Sequence, residues 1–367
     1  MWKIVNQILF TTICLLGFSS LLFAQAGTNS SQETDNQETA EIEIPFGWEK
    51  GDSYQYSVEK RKGKGSLKRN LLSVDIVSSS EEFVVAKLNF EIVLDPSKQK
   101  EIDSMPAVKK LIELYQKLDI LVRIRKDGVF LGVENPKELK TVFDATIGPT
   151  DSAIESANLD PKKKELARRM LKETTNFERF QQELLTPLHY MLMMTGTSHS
   201  ETEAFKQEST TAMLYANEVP MTETYEVTEY ASEKKSVAVD YSVVVDSDEA
   251  RRLVTESMNT FVQRMSPGSK ERVSIKGTVF KTRASFTIST ETGWPDLIQW
   301  REEVNNMSDG KLDEKSFLKI SRVTTKPSNA EVLKYLEVDG DRRNFFAFRW
   351  RGRRIVVSVW TGYNAAF

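Results

Sequence analysis

Residues 236–246, SVAVDYSVVVD, place Val237, Val239, Tyr241, Val243 and Val245 at every second position. A period of two fits an extended strand with one buried face and fits no helix. The same alternation, or a continuous apolar run, marks GDSYQYSVEK from residue 51, residues 71–77 and FVVAKLNFEIVL from residue 83. It returns in ILVRI and VFLGV, and later in EAFKQESTTAML, TETYEVTEY, VSIKGTVF and ASFTIST. Turn chemistry punctuates these runs. Asp127-Gly128 separates two of them, and Asp-Gly between apolar runs is a strong hairpin signal because glycine tolerates positive φ. Thr292-Gly293-Trp294-Pro295 ends another run, with Gly293 permitting a bend and Pro295 limiting the preceding pairing. Both segments, RKDGVFLGVENP and STETGWPDLIQW, are expected to be corners of long strands.

Helical periodicity appears between the strand runs. Val108, Leu111, Ile112, Tyr115 and Leu118 recur at three- and four-residue spacing after Ser104 and Pro106. Asn135-Pro136-Lys137-Glu138 reads as a helix start, with Asn capping and Glu138 reaching back, followed by Leu139, Val142, Phe143 and Ile147. A further helical region runs from Asp160-Pro161 to about residue 194, with Pro187 expected to break or kink it. Ser247 precedes a helix whose apolar face holds Ala250, Leu253, Val254, Met258, Phe261, Val262 and Met265. Strands and helices are grouped rather than strictly alternating. The expected fold is α+β, with long curved antiparallel sheets packed against amphipathic helices. Residues 46–195 and 196–330 show the same order of strand, helix, strands and Gly turn. Either an internal duplication or the general economy of that order accounts for it.

The N-terminus has the form of a secretory signal. Lys3 is followed by the apolar run 8–23 and by Ala24-Gln25-Ala26, which predicts cleavage after residue 26 and a periplasmic or secreted protein. No other stretch is long and apolar enough to span a bilayer. Residues 27–45 are polar and acidic and are expected to be a disordered spacer. The single cysteine, Cys14, lies inside the signal, so the mature chain has no thiol for disulfides, catalysis or zinc–sulfur sites. Export without disulfides fits a bacterial envelope.

The mature chain carries 49 basic against 53 acidic residues, a balance that offers no general attraction to nucleic acid. The exception is 342–354, with six arginines and no acid. Residues 331–367 are expected to form a short helix and a hairpin, with Phe346, Phe348 and Trp350 on one face. Arg349, Arg351, Arg353 and Arg354 would be available for a surface contact with an envelope protein or anionic headgroups.

Nucleophile elbows, zinc-protease motifs, phosphate loops and dinucleotide fingerprints are missing from the chain, and its two histidines, His189 and His199, lie outside any such motif. No enzymatic activity and no cofactor are expected. HYMLMM at 189–194 invites a copper reading, with His189 and Met193 on one helical face. The competing reading is an apolar helix end in which methionine fills the core.

GDSYQYSV, KDGVFLGVENPKEL and TETGWP resemble exported bacterial proteins of unknown function that open on a Gly-Asp-x-Tyr-x-Tyr strand. That resemblance implies a lipoprotein-carrier-like half-barrel, a curved antiparallel sheet with helices over its concave face. The chain departs from it in the helical insertion at about 150–195 and in the Arg-rich tail. Two functions follow as expectations. One is binding of an apolar or lipid-like ligand in a sheet–helix cavity lined by Trp294, Trp300 and Phe130. The other is a structural or interaction role in the envelope, through edge strands or the Arg-rich hairpin.

Overall fold

The computed structural model describes most of residues 41–323, with breaks at 64–66, 95, 105, 214–215, 266–271, 273 and 306–311 and over much of 157–175. In the tail it describes 345–350 and 353–358. The expected signal segment, most of the spacer, the short helix after residue 331 and Arg351 lie outside the described residues.

Eleven antiparallel strands make one sheet, built from two meanders. The first comprises β2 (Ser53–Lys62), β3 (Lys68–Ser79), β4 (Phe83–Val93), β5 (Asp119–Arg125) and β6 (Phe130–Val133). The second comprises β8 (Phe205–Met213), β9 (Ala216–Ala231), β10 (Ser236–Val245), β11 (Phe280–Ser289), β12 (Pro295–Asn305) and β13 (Leu312–Val323). Within each meander every strand pairs with its sequence neighbour, and the two fuse where β13 pairs with β2, as in Ile320 opposite Val58. The order across the sheet is therefore β6-β5-β4-β3-β2-β13-β12-β11-β10-β9-β8. Strands from residues 46–195 and from residues 196–330 thus share a single sheet.

Helices α1 (Pro96–Asp103) and α2 (Pro106–Gln116) sit between β4 and β5, and α5 (Asp248–Met265) sits between β10 and β11. In both places the flanking strands still pair directly, so the helices are insertions into a meander. Helices α3 (Pro136–Ser156) and α4 (Phe177–Leu192) link the first meander to the short strand β7 (Thr197–Ser200). The α+β expectation is corrected here: the fold is mainly β, because one continuous antiparallel sheet organises it and the helices are inserts.

Alternation decides which face is covered. Tyr56, Leu72, Leu88, Val122, Val239, Phe286, Ile298 and Ile320 all point to the inner face and belong to one buried cluster. That cluster includes helical residues Tyr115, Leu139, Phe143, Phe180, Leu188 and Val254. Helix α5 starts as its sequence predicts, with the Ala250 N–H donating to Ser247 Oγ at 3.1 Å. Asn135 does something else. Its side chain accepts from Leu121 N at 2.9 Å and donates to Asp119 O at 2.7 Å, so it binds β5. Pro187 lies within α4, whose helical span continues to Leu192.

The spacer ends earlier than expected. Glu41–Ile44 form β1, which pairs with β7, and Ile42 and Ile44 are buried. In the tail, β14 (Phe345–Trp350) and β15 (Arg353–Ser358) pair as a hairpin, with Arg349 opposite Arg354 and Phe348 opposite Ile355.

Candidate functional site

The two sequence corners meet at one place, the segment that follows α4. A Cβ on Gly293 would strike the Pro45 carbonyl and meet Thr195 Cγ2. One on Gly128 would strike Thr195, and one on Gly196 the Asp127 carbonyl. All three glycines have positive φ, at +69°, +87° and +72°. Gly196 N donates to Ile44 O at 2.7 Å, and Gly47 N donates to Thr292 O at 3.1 Å. Backbone approach this close leaves no room for a side chain. The turn before β6, the turn before β12 and the end of β1 are thereby locked together.

The residues expected to line a cavity are packed around this lock, each against a different partner. Trp294 is fully buried and stacks on Trp48 with centroids 3.8 Å apart and planes 5° apart. Its indole N–H donates to Asp52 Oδ2 at 3.2 Å, and Tyr54 lies 4.5 Å from its ring. Trp300, six residues along β12, stacks on Tyr190 of α4 at 4.0 Å. Phe130 meets His189 edge-on at 5.0 Å. Their ring partners are Trp48, Tyr190 and His189 respectively.

HYMLMM forms the hub of this arrangement. Leu188, Tyr190, Met191, Leu192 and Met194 are buried in the core cluster. Burial pushes the His189 imidazole down to about 4. His199 is also held below its ordinary value by burial, and its Nε2 lies 2.8 Å from Thr197 Oγ1. The two imidazoles thus serve different neighbours. Among the described residues no group of three His, Cys, Asp or Glu side chains is placed to hold a metal.

A feature the sequence reading missed runs across the inner face. Phe205, Tyr225, Tyr241, Ala284, Trp300 and Leu318 stand in direct register on β8, β9, β10, β11, β12 and β13. Phe205 and Tyr225 are 6.2 Å apart, Tyr225 and Tyr241 4.8 Å, and Tyr241 and Trp300 5.7 Å. Ala284 is small enough for the aromatic rings on either side to approach across it. Such contacts contribute about 0.5–1.5 kcal/mol per pair beyond burial. The row starts beneath α4 and ends in the open, since Phe205 is 58% exposed at the sheet edge. Its signal was available in the sequence as aromatic residues at inner positions of adjacent strands, but only once the register is known.

Beside it lies a polar row. Gln207, Glu223, Val243, Thr282, Glu302 and Ser316 are likewise in register across β8 to β13. Glu223 accepts hydrogen bonds from Gln207 Nε2, Ser209 Oγ and Tyr225 Oη at 2.8–2.9 Å. Glu302 accepts from Ser316 Oγ at 2.7 Å and from the Trp300 indole N–H at 3.3 Å. Burial, together with Glu223 or Glu302 nearby, pushes the Tyr190, Tyr225 and Tyr241 hydroxyls far up, so all three remain donors. Both carboxylates are under a tenth exposed and are used up within the protein.

The two edges of the sheet differ. Strand β6 is four residues long, and where it stops the Asn135 amide supplies substitute hydrogen bonds to β5. Strand β8 is nine residues long and has no strand on its outer side among the described residues. A shallow cleft on α5, lined by Glu256, Asn259, Thr260, Gln263 and Arg272, shares no residue with the lock or with either row.

No family model matches the chain, and no curated protein matches it. A solved structure from Bacteroides fragilis, described as an exported protein with a YmcC-like fold, aligns with 76% of this chain and 100% of its own. Identity is 9% and the TM-score 0.23.

Proposed function

We propose that this is an exported, non-enzymatic protein of a bacterial envelope that engages a partner protein by strand addition at β8. One observation carries the reading. Among the described residues, a nine-residue edge strand stands open at one end of an eleven-stranded sheet, with exposed Phe205 at its start. An unpaired edge is a template for an extended segment: main-chain hydrogen bonds supply affinity and alternate side chains supply selectivity. A segment pairing with β8 places one of its side chains against Phe205 and so continues the aromatic row. The inner face, where an apolar ligand was expected, is occupied by the protein's own helices and aromatic side chains. The buried carboxylates Glu223 and Glu302 bond to their neighbours, which fits a structural role better than acid–base chemistry.

The test is a photo-crosslinking residue at Thr210 in β8 or at Leu131 in β6, carried in the source envelope. A discrete adduct from the Thr210 position alone is expected. Single variants Glu208→Pro and Ser209→Pro should separate, because only one of two neighbouring N–H groups faces the open rim. The tolerated one should abolish the adduct. Equal adducts from both edges, or none from β8, would sink the proposal.

A further inference from the structure

We infer that the outer face of β2, β13, β12 and β11 docks on the anionic phospholipid surface of a membrane. Arg61, Phe317, Arg301 and Arg283 stand in direct register on these four strands. Arg61 and Arg301 flank the Phe317 ring, with guanidinium carbons 5.8 Å and 6.0 Å from its centroid. Arg283 and Arg301 face each other across a strand pair, an arrangement of like charges that costs stability in isolation. The next rows add Lys319 and Lys281 against Glu59, Glu303 and Glu314. Two of these acids are engaged locally: Arg69 binds Glu59, and Arg283 lies 3.5 Å from Glu303.

Basic groups thus outnumber acids on this block, while the chain as a whole has a net charge of −3. An anionic surface attracts this face and repels the rest, which orients the molecule as well as binding it. The half-buried aromatic ring between guanidiniums selects a membrane over a dissolved polyanion, because it combines an apolar body with charges suited to the headgroup level. The face is separate from the rim of β8, so its failure would leave strand addition untouched.

Sedimentation with vesicles tests this, using one part phosphatidylglycerol to two parts phosphatidylcholine and, in parallel, phosphatidylcholine alone. The full chain should bind only the anionic vesicles, and less as salt rises. Each charge removed should weaken binding about fivefold, from the roughly 1 kcal/mol that a basic residue gains near such a surface. The triple variant Arg61→Gln/Arg283→Gln/Arg301→Gln should therefore lose binding by about a hundredfold or more. Arg283→Glu, at a side chain 58% exposed, tests the same face with little risk to folding. A variant with Arg349, Arg351, Arg353 and Arg354 changed to Gln should keep its binding. The inference is overturned if the wild type ignores anionic vesicles, or if the folded triple and Arg283→Glu variants bind as before. It is also overturned if the tail variant alone abolishes binding, or if inorganic phosphate competes at low concentration.

Discussion

The two ends of the sheet solve the same problem in opposite ways. At the β6 end, the strand is short and Phe130 rests on His189. The preceding turn is fixed by Gly128 against Thr195, and Asn135 completes the hydrogen bonding of β5 with its side chain. At the β8 end, a long strand of Ser, Thr and charged residues carries an exposed phenylalanine and no comparable closure among the described residues. Edge strands are normally blunted because an open rim invites other chains. The strand-addition proposal takes the longer rim, left without such features among the described residues, as the working one.

The largest expected effect breaks the sealed end. Gly293→Ala should cost about 3 kcal/mol or more, because it combines a positive φ with a collision against the Pro45 carbonyl. Gly196→Ala should cost a similar amount, through the Asp127 carbonyl. Chemical denaturation measures both, and a loss under about 1 kcal/mol would show that the lock yields easily.

Acid should loosen the same end next. His189 titrates at about 4 in the folded protein against an ordinary value near 6.5, so between those values the unfolded chain binds the extra proton. Stability is unaffected by His189 above that window and falls as pH drops through it. The loss is on the order of 3 kcal/mol at the bottom of the window. His189→Gln should flatten that part of the stability–pH profile, leaving the smaller contribution of His199, which has the same sign. An unchanged profile would mean that the hub opens before it titrates.

The smallest expected effects on stability lie at the open end. Phe205→Ser should change stability by about 0.5 kcal/mol or less, because the side chain is already mostly in solvent. It should nevertheless weaken the β8 adduct severalfold. A large loss of stability with an unchanged adduct would make Phe205 a structural residue and sever the aromatic row from recognition.

Much of the sheet was legible in the sequence, because period-two runs such as SVAVDYSVVV can be satisfied only by a strand with one buried face. The Asp127-Gly128 and Gly293-Trp294-Pro295 turns were legible too, and so was the apolar end at 188–194. Other features depend on register, which local sequence does not carry. The β13–β2 pairing joins residues more than two hundred positions apart, and nothing local announces it. Phe205, Tyr225, Tyr241 and Trp300 become a row only once four strand pairings are fixed. Asn135 before Pro136 has the form of a helix cap, yet the free rim of β5 claims its amide. Glu41-Ile42-Glu43-Ile44 does alternate, but the acidic context of 27–45 hid a four-residue strand. The helices suggested a separate layer because their insertion between already paired strands is invisible without the pairing.

The claim that β8 is the working edge is tested most directly by hydrogen exchange read by mass spectrometry, on the protein alone and after incubation with solubilised source envelope. The account predicts that peptides covering 205–213 exchange rapidly in the free protein and become protected in the envelope sample, while those covering 119–133 are unchanged. Protection confined to 119–133, or the same slow exchange of 205–213 in both samples, would contradict it.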